Sequence, residues 1–269
     1  MTPAAISEAP GTATHPQADY SLRRYLADAF EVVTNADSRL LRTFRALVAR
    51  PGALTAAYFS PERDQYLRPQ QVLLFSSVVF FFVQPLTGFS GLNSPLHIHL
   101  SQTPYSPLVE PWIAAEVARR GGDLEAYRAM FDAAVDAHAR TLAFLLVPIF
   151  ALLVTLVFWR PRRYFVQHLV FATHFVSVLL LLLAPVALVL ALLARIVYAA
   201  GLGADLAFAI GDSFGPTLVS GVYLTLALRT AYGEGRGLSV AKAAVLSLGM
   251  LPVFTVYRFV LFLATFFGL

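Results

Sequence analysis

The chain alternates long apolar blocks with short polar breaks. Five blocks stand out: residues 71–90, 141–159, 164–194, 205–228 and 242–267. A bilayer's hydrocarbon core is ~30 Å thick and takes ~20 apolar residues as a helix, so each block is a candidate span. The block 164–194 would reach about 45 Å at ~1.5 Å per residue, so it must tilt, kink at Pro185 or project beyond the membrane. The block 205–228 has the weakest pattern, because it contains Asp205, Gly211, Asp212, Gly215 and Pro216. The last block carries Pro252 and Arg258 inside it. The fold class expected is all-α, a polytopic membrane helix bundle of about five transmembrane helices preceded by cytosolic amphipathic helices.

Ahead of the first block the periodicity changes. Leu22, Leu26, Phe30 and Val33 recur at helical spacing over 20–35. A second amphipathic helix is predicted over 37–49, with Leu40, Leu41, Phe44, Leu47 and Val48 on one face and Arg39, Arg42 and Arg50 opposite. Pro51-Gly52 stops it. Such helices either lie in the membrane interface or pack on the ends of the bundle. Residues 1–19, rich in Ala, Pro and Thr, read as a disordered tail. This gives three regions: 1–19, an interfacial 20–68, and a transmembrane bundle over 69–269. Between the first two spans, 91–139 forms an external loop. Its first half is Pro-rich and its second half holds two short helices broken at Gly121-Gly122.

Composition agrees with lipid as the solvent. The 269 residues are 58% hydrophobic and 13% charged, against about 25% charged in ordinary soluble domains. The net charge of +4 arises from arginines that flank apolar blocks, which fits anionic headgroups and not nucleic acid. With five spans, regions 20–70, 160–163 and 229–242 fall on one side and hold fourteen basic residues. The other side holds five: Arg119, Arg120, Arg128, Arg140 and Arg195. The positive-inside rule then places the N-terminus in the cytoplasm and the C-terminus outside. A single lysine, Lys242, among many arginines points to a GC-rich bacterial genome and hence to a bacterial inner membrane. The chain has no cysteine, which excludes disulfides and thiolate chemistry.

Two stretches carry a family resemblance. Residues 37–83 contain Arg50-Pro51-Gly52, then Tyr58, Arg63, Tyr66 and Pro69, then the first span. Residues 164–175, YFVQHLVFATHF, open a later span around His168. Both resemble a bacterial membrane family catalogued as domain of unknown function 3667, although Pro69 lies one position later than in the family's pattern. Many members begin with a CxxC zinc ribbon. This chain has none, so the resemblance implies no zinc site and no defined activity.

Candidate chemistry is confined to polar groups inside or beside the spans. Asp212 and Arg258 fall at similar depth, ~10 Å and ~6 Å below the outer boundary, on two spans that form a hairpin. They are expected to pair, either as a structural ion pair or as part of a polar site. His168 and His174 are six residues apart on one helix and so face different directions, which excludes chelation of one metal by both. Each is read as a hydrogen-bonded core histidine or as part of a proton relay or ligand site. His97 and His99 would point the same way if extended, and with His138 they form a weak candidate metal set beside the reading of solvated loop histidines. Gly211, Gly215, Pro216 and Gly221 either break a span or allow close helix packing.

No Walker A, dinucleotide-binding or nucleophile-elbow motif appears, so no cofactor and no catalytic residue is assigned, and an enzyme is not indicated. Three functions remain open: transport or lipid handling, a non-catalytic membrane assembly subunit, and an intramembrane enzyme using His168 or His174. The expected partners are membrane lipids, a second copy of the chain or another membrane protein.

Overall fold

The arginine-rich segment before the first span forms a helix, α1, over residues 38–49. The computed structural model describes residues 38–87, 92–159, 163–199 and 215–269. After α1 come α2 (Ala53–Tyr58), a 3-10 turn (Pro61–Gln65), α3 (Pro69–Thr87), α4 (Leu96–Ser101), α5 (Ser106–Arg119) and α6 (Leu124–Leu142). A 3-10 turn (Ala143–Leu145) joins α6 to α7 (Leu146–Val157), followed by α8 (Phe165–Ala199), α9 (Gly215–Tyr232) and α10 (Arg236–Gly268). No strand occurs among the described residues.

Four helical stretches among the described residues are long and apolar enough to cross a membrane: Pro61–Leu86, Leu124–Val157, Phe165–Leu183 and Arg236–Gly268. The fourth span expected from sequence, 205–228, begins outside the described residues, and its remainder lies in α9. The expected tail 1–19 and the amphipathic helix over 20–35 also lie outside the described residues.

Residues Leu40–Leu269 form one compact unit. α3 packs along α8, α7 lies between α8 and α10, and α9 packs on α10. Val147, Phe150, Ala151 and Val154 of α7 are buried at i, i+3, i+4, i+7 spacing. Phe150 stacks on Phe175 of α8 with ring centroids 4.5 Å apart. On α10, a Cβ at Gly249 would come within 2.5 Å of Leu153, so glycine lets α10 approach α7. Gly221 faces Ser247 across the α9–α10 contact, where a Cβ would meet Ser247 Oγ at an ordinary 3.4 Å, and α9 is continuous through it. Gly221 therefore does not break the helix. Several polar residues within the spans satisfy themselves locally: Ser77, Thr173 and Ser177 donate to the carbonyls of Leu73, Leu169 and Thr173.

The second span begins earlier than its hydropathy indicates. α6, the 3-10 turn and α7 form one nearly uninterrupted run, so the polar helix at the end of the 91–139 segment feeds directly into the membrane. The 3-10 turn precedes Pro148, whose missing N–H leaves the carbonyl four residues back without its helical partner. α8 and α10 continue through Pro185 and Pro252.

The bundle has two distinct ends. At one, Phe158 stacks on Tyr232 at 4.5 Å, and Lys242 lies 3.8 Å above the Phe158 ring. At the other, Trp112 of α5 meets Phe266 near the end of α10, and His138 of α6 meets Thr265.

Candidate functional site

At the Phe158–Tyr232 end, α1 and α2 fold into the bundle. Thr43, Ala46 and Leu47 are the buried face of α1, while Leu41 (71% exposed) and Val48 lie outside it. The five apolar residues expected on one face are therefore divided between bundle and surroundings. The Tyr223 hydroxyl of α9 donates to the Leu47 carbonyl at 2.9 Å, capping one of the carbonyls that the end of α1 leaves open. The chain then turns at Gly52, whose φ is +82°. A Cβ there would fall on the Ala227 backbone of α9, so both the left-handed conformation and the close approach require glycine.

This turn delivers α2 to α8, where Thr55 Oγ1 and His174 Nδ1 are hydrogen-bonded at 3.0 Å. Both side chains are buried. The void beside them, lined by Tyr223 and Phe171 among others, is only ≈ 10 Å³, about the space for one water centre. His168, six residues earlier, is directed elsewhere: its Nδ1 lies 2.9 Å from the Tyr232 hydroxyl. Arg163 closes that cluster, its guanidinium 4.7 Å from the Tyr232 ring and donating to the Tyr232 carbonyl at 2.8 Å. The two histidines are thus tied to different helices and share no ligand position.

Outside this packed interior lie two clefts. One, of ≈ 650 Å³, opens between the Arg50-Pro51 turn and the end of α9, and includes Arg50, Leu226, Arg229, Thr230 and Glu234 in its lining. The other, of ≈ 350 Å³, lies along α1 and includes Arg42, Arg45, Arg50 and Tyr66. Glu234 is neutralised by Lys242, with Nζ 2.6 Å from its carboxylate. Among the described residues Arg42, Arg45, Arg50 and Arg229 form no ion pair. These clefts are therefore cationic.

The other end differs from expectation. His97 and His99 lie in α4, a helix, so they do not point the same way. His99 is buried; its Nε2 donates to the Ser94 carbonyl at 2.9 Å, which leaves Nδ1 to accept from the Tyr105 hydroxyl at 2.8 Å. Burial pushes its pKa down to about 4, and the nearby Arg258 and His97 add to that. Burial likewise raises the Tyr105 hydroxyl to about 12. His97 is exposed beside Arg128, and His138 is engaged with Thr265. The three are not assembled, and among the described residues no group of three His, Asp or Glu is placed to hold a metal. Arg258 Nε is buried with no hydrogen-bond partner among the described residues. Asp212, its expected partner, lies outside them.

Residues 37–81 match the family described as "Protein of unknown function (DUF3667)". No curated protein and no solved structure matches the chain. The matched segment holds α1, the Arg50-Pro51-Gly52 turn, α2 and most of α3. It thus supplies Arg42, Arg45 and Arg50 to the clefts and Thr55 to His174. The chain is an integral membrane protein carrying a segment similar to a family of unknown activity. Sequence reasoning singled out His168 and His174 but missed Thr55, Tyr105, Tyr223 and Tyr232, which come from distant elements. The RPG element was the one local signal, since a glycine after the end of a helix marks a sharp turn.

Proposed function

We propose that this protein handles anionic lipids at the cytoplasmic face of a bacterial inner membrane, with its N-terminus in the cytoplasm and its C-terminus outside. The observation that carries this reading is the ≈ 650 Å³ cleft, where Arg50 and Arg229 stand beside the apolar Leu226. Guanidinium groups suit phosphate because their planar fork donates two parallel hydrogen bonds. Leu226 and Val222, one turn apart on α9, are both exposed and run from the cleft toward the middle of the helix. They offer a track for an acyl chain whose phosphate sits at Arg229. Basic clefts between helices at the cytoplasmic boundary are suited to anionic headgroups.

The test is native purification followed by mass spectrometry of retained lipids and proteins. Anionic phospholipid should be retained by the native chain, and depleted severalfold in a variant combining Arg50→Gln with Arg229→Gln. Retention of zwitterionic lipid alone, or no effect of that variant, overturns the reading. A stoichiometric protein partner without anionic lipid favours an assembly subunit.

A further inference from the structure

We infer that the ligand is a lipid carrying two phosphate groups, each phosphate seated in one cleft and the two bridged across Arg50; this rests on the anionic-lipid reading above. Arg50 lines both clefts, with Arg229 beyond it on one side and Arg42 and Arg45 on the other. One phosphate monoanion needs one or two guanidinium groups. Four, without carboxylate partners among the described residues and with Glu234 already neutralised by Lys242, are more than one phosphate uses. Cations gathered around two adjoining clefts repel one another, and two anionic groups relieve that repulsion on both sides of Arg50.

The apolar surroundings separate a two-phosphate lipid from a linear diphosphate. Exposed apolar side chains lie next to one arginine of each cleft. On α9, Val222 and Leu226 lead to Arg229. On α1, Leu41 and Val48 flank Arg45 at i−4 and i+3, on the same side of the helix. Two stripes, one beside Arg229 and one beside Arg45, suit a molecule in which each phosphate bears its own acyl chains. A soluble diphosphate uses neither stripe, and a single-chain lipid diphosphate uses one.

The experiment is a titration of the full chain in detergent, read by native mass spectrometry. The probes are cardiolipin (two phosphates, two diacyl arms), phosphatidylglycerol of matched chains (one phosphate) and inorganic pyrophosphate. Cardiolipin should bind at least about tenfold more tightly than phosphatidylglycerol, a preference well outside the scatter of single contacts. Arg42→Gln with Arg45→Gln, both on the exposed face of α1, should reduce that preference to about twofold or less while phosphatidylglycerol binding persists. Equal binding of the two lipids to the native chain overturns the two-phosphate inference and leaves the anionic-lipid reading intact. Binding of neither overturns both. Displacement of cardiolipin by equimolar pyrophosphate overturns the lipid source and points to a soluble diphosphate.

Discussion

Thr55 and His174, 119 positions apart, are hydrogen-bonded at 3.0 Å in the interior of the bundle. The contact fastens the segment before the first span to α8, beside the same small void that Gly52 and Ala227 line. The family-matched segment is thus a built-in part of the helix packing, while its arginines remain outside.

Removing the Thr55 hydroxyl leaves a buried imidazole nitrogen without its partner, which costs about 1–3 kcal/mol. Thr55→Val should therefore lower the thermal unfolding midpoint in detergent, while Thr55→Ser, which keeps the oxygen, should stay close to the native chain. Equal losses in both variants would assign the stabilisation to the methyl group and not to the hydrogen bond.

Gly52 combines two constraints that can be separated. A left-handed backbone costs a non-glycine residue roughly 1–2 kcal/mol. Gly233 has a φ of +66° with open space around its Cβ direction, whereas Gly52 also faces the Ala227 backbone. Gly52→Ala should therefore destabilise the protein clearly more than Gly233→Ala, measured by the same unfolding midpoint. Similar losses would show that the close approach to α9 is unimportant.

Four spans among the described residues were legible because each contains an apolar block with basic residues or prolines beside it, and the break at Gly121-Gly122 was legible because both glycines adopt positive φ. The fusion of α6 to α7 was not. Asp132, Asp136 and Arg140 make that stretch too polar to read as membrane, yet no glycine or proline interrupts its helical period before Pro148. α4 was missed for a different reason. Its first amide, Leu96 N–H, is capped by the Asp132 carboxylate at 2.7 Å, from 36 positions away. No local pattern announces such a cap, and without it the prolines favoured an extended segment and a false alignment of His97 with His99. The basic clefts were half legible: the arginines were visible as a surplus, but Arg229 joins Arg50 only through tertiary packing.

His99 gives the α4–α6 region a defined pH dependence. Its pKa is lowered from 6.5 to about 4, so the folded state prefers the neutral ring. The unfolded state then binds more protons between these values, and stability rises with pH across that window. Stabilisation is fully present above about pH 6.5 and falls as pH drops toward 4, by up to about 3 kcal/mol in total. Hydrogen exchange of α4–α6 between pH 7 and 4 should show protection falling on acidification, and His99→Asn should flatten the slope. A native slope unchanged in that variant would assign the dependence to carboxylates.

The last prediction concerns orientation. Arg163 and Lys242 lie against the Tyr232 and Phe158 rings at one end of the bundle, and Arg229 occupies the last turn of α9 beside them. α5 and α6, with Arg119, Arg120 and Arg128, cap the other end, where Trp112 meets Phe266. α7 and α9 end, and α8 and α10 begin, at this first end. Arg163, Arg229, Arg236 and Lys242 lie there, and the Arg and Lys content beside short connections decides which side stays in the cytoplasm. Reporter fusions after residue 68, near 162 and near 236 should therefore be active in the cytoplasm. Fusions near 105, near 200 and at Leu269 should be active outside. Because α10 runs from the basic end to the capped end, the C-terminus is the most decisive position. An external reporter at Leu269 places the clefts of Arg50 and Arg229 on the anionic cytoplasmic leaflet. A cytoplasmic reporter there inverts the molecule, sets the clefts at the outer surface, and removes the electrostatic basis for lipid handling at the cytoplasmic face.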